Sequence, residues 1–219
     1  MMPDRTTSNT LFMKQTIQLD KQGEKSLLET TKKLIDKIDK EIPLLRKSIT
    51  DVPNAEIANE ISYHFASVPL LLRLSILDVC ILFKLYLENN SATQQNLLLR
   101  LLSGQLYEFV EDVSELFGKK YRVLLSQFTN SEELTNSFNY DVIKEFNILK
   151  TLHSEFLKLI RHNVAHHKDT DALWQYYLIN DIDFNWAIKA YINFVQWYVT
   201  NFSDFELKLI EIAMNNRKE

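Results

Sequence analysis

Residues Tyr140–His167 read YDVIKEFNILKTLHSEFLKLIRHNVAHH. Val142, Phe146, Leu149, His153, Phe156, Ile160 and Val164 recur at steps of three and four. That period lays them along one side of an α-helix, whereas a strand would alternate sides at every step. The stretch predicts one long amphipathic helix, and the rest of the chain follows the same period.

Toward the C-terminus, a last long helix begins near Asp183 and carries Ala187, Tyr191, Phe194 and Tyr198 at similar steps. Toward the N-terminus, Asn130 to Asn139 is polar and reads as a connection. Lys119 to Thr129 reads as a short helix. Ser91 with Gln94 forms a capping-box pattern that opens a long helix, and Gly118 terminates it. Val68 to Leu87 is apolar nearly all round and belongs at the centre of a bundle. It contains Arg73, Asp78 and Lys84, each costly at a bilayer centre, so it reads as a buried helix and no membrane partner is expected. Pro69 fits the first turn of this helix, and Asn54 caps a preceding one that runs to about Ser67. Glu24 to Ile49 is amphipathic through Leu27, Leu28, Leu34, Ile35 and Ile38, and Pro43 should kink or end it near Glu41. The expected division is a polar tail over residues 1–22, an N-terminal amphipathic helical arm over 23–53 and a helical bundle over 54–219.

Composition agrees. The 219 residues include 3 Gly and 4 Pro. Gly23, Gly104 and Gly118 are isolated, which argues against Rossmann folds, phosphate-binding loops and most all-β folds. The fold class is all-α, an antiparallel helical bundle with an extra N-terminal helix. Lys and Arg number 25 against 29 Asp and Glu, a net charge of -4 that denies a broad basic footprint for nucleic acid. The single cysteine, Cys80, excludes an internal disulfide and reads as a buried thiol. Met1 to Gln18 has no apolar core of a signal peptide, and a cytoplasmic protein is expected.

Four of the five histidines fall between His153 and His167. His153 and His167 lie on the buried stripe and read as hydrogen-bonded core histidines. Arg161, His162 and His166 rotate onto the other half of the helix. Left there without a task they would be ordinary surface groups. Together they also offer what phosphoryl chemistry on RNA needs. Imidazoles exchange protons near neutrality, and a guanidinium forks onto phosphate oxygens and holds charge that builds in a transition state.

Arg161-His162-(three residues)-His166 resembles the Arg-polar-x3-His signature of the HEPN superfamily, which places this motif near the end of one helix of an α-helical bundle. The resemblance spans about residues 55 to 217, and this motif is its specific part. It implies an HEPN-like bundle and a metal-independent endoribonuclease that needs no cofactor, in many members a toxin or defence effector. His166 would then be the acid/base, Arg161 would stabilise the phosphorane and His162 would orient or assist. The product would carry a 2′,3′-cyclic phosphate. Arg161 and His166 point about 140° apart on a straight helix. A second copy repairs this, so a homodimer is expected, along with RNA and an antitoxin or other protein partner. Lys119, Lys120, Arg122, Lys158 and Lys168 are the cations available for RNA. The resemblance equally admits a noncatalytic scaffold or binding module.

Other constellations compete. His162 and His166 stand four apart, which suits a metal, and His64 is the candidate third ligand of a three-histidine bundle site similar to that of the DinB family. Position 163 is Asn, so the zinc-protease pattern fails. Glu108, Glu111, Asp112 and Glu115 form a carboxylate stripe that reads mainly as a solvated face, and Arg100 and Glu108 stand two turns apart where they could flank the motif. Trp174 to Trp197 holds all three Trp among several Tyr and Phe, a stripe that reads as core and subunit contact.

Overall fold

The computed structural model describes residues 20–50, 56–129, 131–162 and 185–216. They form α1 (Lys21–Thr50), α2 (Glu56–Glu88), α3 (Ala92–Leu116), α4 (Lys119–Thr129), α5 (Glu132–Ser137), a π-helical segment Phe138–Lys144, α6 (Glu145–Ile160), α7 (Asn185–Trp197), a second π-helical segment Tyr198–Phe202, and α8 (Ser203–Asn216). No strand occurs among the described residues, and the fold is an all-α helical bundle.

The three-and-four spacing of α6 does what the sequence predicts. Phe146, His153, Phe156, Leu157 and Ile160 are buried. The same spacing on α7 buries Ala187, Ile188, Tyr191, Phe194 and Trp197 against them. At the centre, Phe109 of α3 meets Phe146, Phe194 and Trp197 edge-on, with ring centroids 5.9–6.5 Å apart. The Trp197 indole is buried, and its Nε1 donates to the carbonyl of Val142 at 3.0 Å. An amphipathic ring of this kind enters a core with its one polar atom satisfied. The core reading of the C-terminal aromatic stripe holds for Trp197 and its described neighbours; Trp174 lies outside the described residues.

α2 is the central helix. It packs against α1 and α3, and Leu72, Ile76, Val79, Cys80 and Phe83 are buried. Its Tyr63–Glu88 stretch is the one helix among the described residues long and apolar enough to cross a membrane. The same stretch carries Arg73, 9% exposed, which pairs with Glu206 of α8 through Nη1 and Nη2 at 3.0 and 2.8 Å. Arg73 Nε donates to Glu41 of α1 at 2.7 Å and Nη1 to the Pro69 carbonyl at 3.3 Å. Burial works against the guanidinium charge, but the Glu206 and Glu41 hydrogen bonds outweigh it and hold its pKa above the usual value.

Several local expectations are corrected. Helix α1 runs through Pro43 to Thr50 instead of ending near Glu41. Pro43 and Asp39 are exposed, so the Asp39 carbonyl, which loses its intrahelical donor, faces water. Nor is there a break before Pro69, because α2 is continuous through it. Contacts on both sides of the proline keep the helix whole: Phe65 stacks near Phe128 and Tyr121, and Leu72 is buried. The N-terminal helix contributes to the core. Ile38 is fully buried in the common core, and Thr31 Oγ1 lies 2.8 Å from the Tyr191 hydroxyl of α7.

Ser91 stands at the N-cap of α3 without the expected side-chain bond. Asn89 does the local work instead: its Oδ1 accepts from Ser91 N at 2.9 Å and its carbonyl from Gln95 Nε2 at 2.7 Å. Asn130–Asn139 is not a plain connection either, since Ser131 caps α5 by accepting from Leu134 N, and Phe138 is buried. At the other end of α3, Gly118 stops the helix as predicted. A Cβ there would lie 2.9 Å from the Glu115 carbonyl oxygen, so only glycine fits.

Candidate functional site at the end of α6

Helix α6 carries its apolar stripe up to Ile160 and then presents Arg161 and His162, both half-buried and both within a π-helical turn. Arg161 Nε pairs with Glu108 Oε1 of α3. Its two Nη groups make no hydrogen bond among the described residues. The His162 ring meets Tyr107 of α3 edge-on, at 5.8 Å between centroids. His162 also opens onto a shallow hollow of about 280 Å³, shared with Glu155, Lys158 and Leu159. Glu108 and Tyr107 are adjacent in sequence and fall 100° apart on α3, so each takes one of two consecutive α6 side chains. The result is a guanidinium fixed through Nε, with no Nη partner among the described residues, beside an imidazole that meets an aromatic ring and near a lysine.

Of the residues singled out in the sequence, Arg161, His162 and Lys158 come together. His166, His167 and Lys168 lie outside the described residues. Lys119 and Arg122 sit elsewhere: Lys119 is exposed on α4, and Arg122 lines a different hollow with Lys144, Asn147 and Thr151 at the start of α6. Arg122 Nε also donates to the Phe117 carbonyl at 3.3 Å. Lys120 lines a cavity of about 430 Å³ with His64, Asp112, Glu115 and Tyr121. There burial, with Glu108 and Glu115 nearby, raises the Asp112 pKa above the usual carboxylate value.

His64 and His162 therefore line different pockets. Among the described residues no group of three or more His, Cys, Asp and Glu is arranged to hold a metal ion. His166, the other candidate ligand, lies outside them.

The carboxylate stripe of α3 is largely exposed, as its spacing suggests, and two of its members also pair with cations of the α6 segment. Glu108 takes Arg161, and Glu111 takes Lys150 at 3.2 Å. His153 is the core histidine expected: it is 1% exposed, and Asn193 Nδ2 donates to its Nε2 at 2.9 Å. Burial first, then the charge of Lys189, pushes its pKa down to about 4, so the ring is neutral at pH 7 and stands apart from the surface motif. Cys80 is fully buried and accepts from the Tyr191 hydroxyl at 3.7 Å. Burial pushes its thiol up to about 12, which leaves it protonated and unreactive.

Sequence reasoning missed Tyr107 as the partner of His162. It had no signal beyond position on the helix, since the pairing spans 55 residues of chain. No protein-family profile, curated protein or solved structure matches the chain.

Proposed function

We propose that the end of α6 is an RNA-cleaving site of the HEPN kind, working without a metal in a cytoplasmic homodimer. The observation that carries this reading is the state of Arg161. Its Nε is committed to Glu108, while its Nη groups make no hydrogen bond among the described residues and are read as the edge for a ligand. A guanidinium prepared in this way matches two phosphate oxygens and needs no reorganisation when charge builds on them.

In the proposed reaction His166 takes the proton of the ribose 2′-hydroxyl. The 2′-oxygen attacks the adjacent phosphorus, and Arg161 holds the nonbridging oxygens through the phosphorane. The 5′-oxygen leaves with the proton that His166 took up and now returns, giving a 2′,3′-cyclic phosphate and a free 5′-hydroxyl. His162, held against Tyr107, orients the substrate or assists the proton transfer. Lys158 adds the second positive charge at the hollow.

A two-fold pairing supports this use of Arg161 and His166, because a second copy of the chain would bring a second motif to the first. A toxin or defence role, with an antitoxin as partner, goes with this reading.

The test is cleavage of a mixed RNA pool in EDTA by wild type and His166→Ala. The expected result is cleavage by wild type alone, with cyclic-phosphate ends. Equal cleavage by both proteins would remove the basis of the reading.

A second reading, a partner-binding scaffold without catalysis, rests on a different observation. Leu71, Leu74, Ile81 and Leu85 line one side of α2 and stay 39–46% exposed. A row of this kind is a surface that another protein would cover. RNA left intact by both proteins at high concentration favours that reading.

A further inference from the structure

Along α3, Arg100, Gly104, Tyr107, Glu111 and Ser114 follow one another at steps of four, three, four and three, and so share one line on the helix surface. That line faces α6. Ser114 Oγ accepts from Lys150 Nζ at 2.8 Å, Glu111 pairs with the same lysine, and Tyr107 meets His162. Partners on α6 rise in number as those on α3 fall, so the two helices run antiparallel. Beyond Tyr107 in the direction α6 points, the next long polar side chain in the line is Arg100, about 10 Å further along α3.

Arg100 has no counterpart among the described residues. Its Nε is buried and has no hydrogen-bond partner among the described residues. Burial lowers its pKa from the usual arginine value, with no offsetting carboxylate among the described residues. Arg73 shows what this fold does with a guanidinium it needs for packing: all three nitrogens are bonded, to two glutamates and a carbonyl. A partly desolvated guanidinium without such partners is costly unless something outside the chain completes it.

We propose that Arg100 is a second phosphate-binding residue of the α6-end site, holding an RNA phosphodiester next to the one held by Arg161. A single small anion does not fit this arrangement as well, because Arg100 and the Arg161–Glu108 pair are two turns apart along α3. That separation suits successive phosphates of one strand. The inference rests on the RNA-binding part of the function proposed above but not on its chemistry.

The experiment is fluorescence anisotropy of a short single-stranded RNA, 2′-O-methylated throughout so that 2′ attack is blocked, in EDTA over a range of salt concentrations. Arg100→Ala is expected to weaken binding by about 10-fold. It should also flatten the slope of log K against log salt by about 0.7, the share of one phosphate contact on a single strand. Arg100→Lys keeps the charge and should keep the slope. Both variants should melt within a few degrees of wild type, since no hydrogen bond or ion pair among the described residues is removed.

Wild-type affinity and slope in Arg100→Ala would overturn the inference, as would failure of wild type to bind this RNA. A large drop in melting temperature in both variants, with affinity unchanged in the folded fraction, would make Arg100 structural and overturn it as well. The two proposals fail separately. Arg100-dependent binding with no cleavage of unmodified RNA sinks the nuclease reading alone, whereas cleavage with Arg100-independent binding sinks this inference alone.

Discussion

Arg73 and Arg161 are both clamped by glutamates from other helices, and the two clamps differ in what they leave over. Arg73 sits between Glu41 and Glu206, 9% exposed, and binds through all three of its nitrogens. Arg161 is 21% exposed, and its described bond is the one from Nε to Glu108, itself 42% exposed. The first arrangement ties α1, α2 and α8 together and uses four of the five N–H donors in a buried place. The second holds a guanidinium through Nε and uses no Nη donor among the described residues. Charge alone does not distinguish a structural arginine from a functional one; the number of donors already used does.

The largest expected effect breaks the comparison on its structural side. Arg73→Met leaves Glu206 buried without its partner and should cost about 3–5 kcal/mol. Urea denaturation is the measurement, read as a lower midpoint with an unchanged slope. RNA affinity of the remaining folded protein should match wild type. If Arg73→Met folds normally and loses RNA binding, the division of roles is wrong.

A second prediction concerns pH and a core group that belongs to neither clamp. His153 has a folded pKa of about 4, below the ordinary histidine value, so the unfolded chain takes up its proton first as pH falls. Its contribution is fully present above about pH 6.5 and is lost as pH falls toward 4, in total about 3 kcal/mol. His153→Gln cannot titrate. The stability difference between wild type and this variant should therefore shrink by that order across the window, measured by denaturation at fixed ionic strength. A difference that stays constant with pH would contradict the assignment.

The smallest effect sharpens the functional side. Glu108 competes with a phosphate for Arg161, so Glu108→Gln should tighten RNA binding by roughly 2- to 5-fold at low salt, with stability changed by less than about 1 kcal/mol because the pair is part-exposed. Anisotropy with an uncleavable RNA reads the first, and thermal melting the second. Weaker binding in Glu108→Gln would mean that orientation by Glu108 outweighs its competition.

Much of the fold is legible where side-chain period is strong. The apolar spacing of Tyr140–His167 predicts Phe146, His153, Phe156 and Ile160 of the buried face of α6, while Leu149 is half-buried and Leu157 is buried outside the predicted stripe, and Lys119–Thr129 coincides with α4. Local punctuation is less reliable. Pro43 and Pro69 suggest helix ends because an interior proline costs about 3 kcal/mol locally. Burial on both sides of Pro69 and solvent around Pro43 absorb that penalty. Ser91 and Gln94 fit a capping box, but Asn89 makes the bonds.

The site divides in the same way. Arg161 and His162 stand out by residue type and spacing, and Arg100 and Glu108 can be suspected from their place two turns apart. The Arg73–Glu206 pair joins positions 133 residues apart, and no local pattern announces it. Likewise, Lys119, Lys120 and Arg122 look available for RNA by composition alone, until folding sets Lys120 and Arg122 in pockets away from His162.

The most direct test of the central claim is the rate of RNA cleavage in EDTA by Arg161→Ala, measured alongside its melting temperature. An open guanidinium that stabilises the transition state is worth about 10²- to 10³-fold in rate. The account predicts a loss of that size with melting within about 4 °C of wild type. Wild-type cleavage by a normally folded Arg161→Ala protein would contradict it.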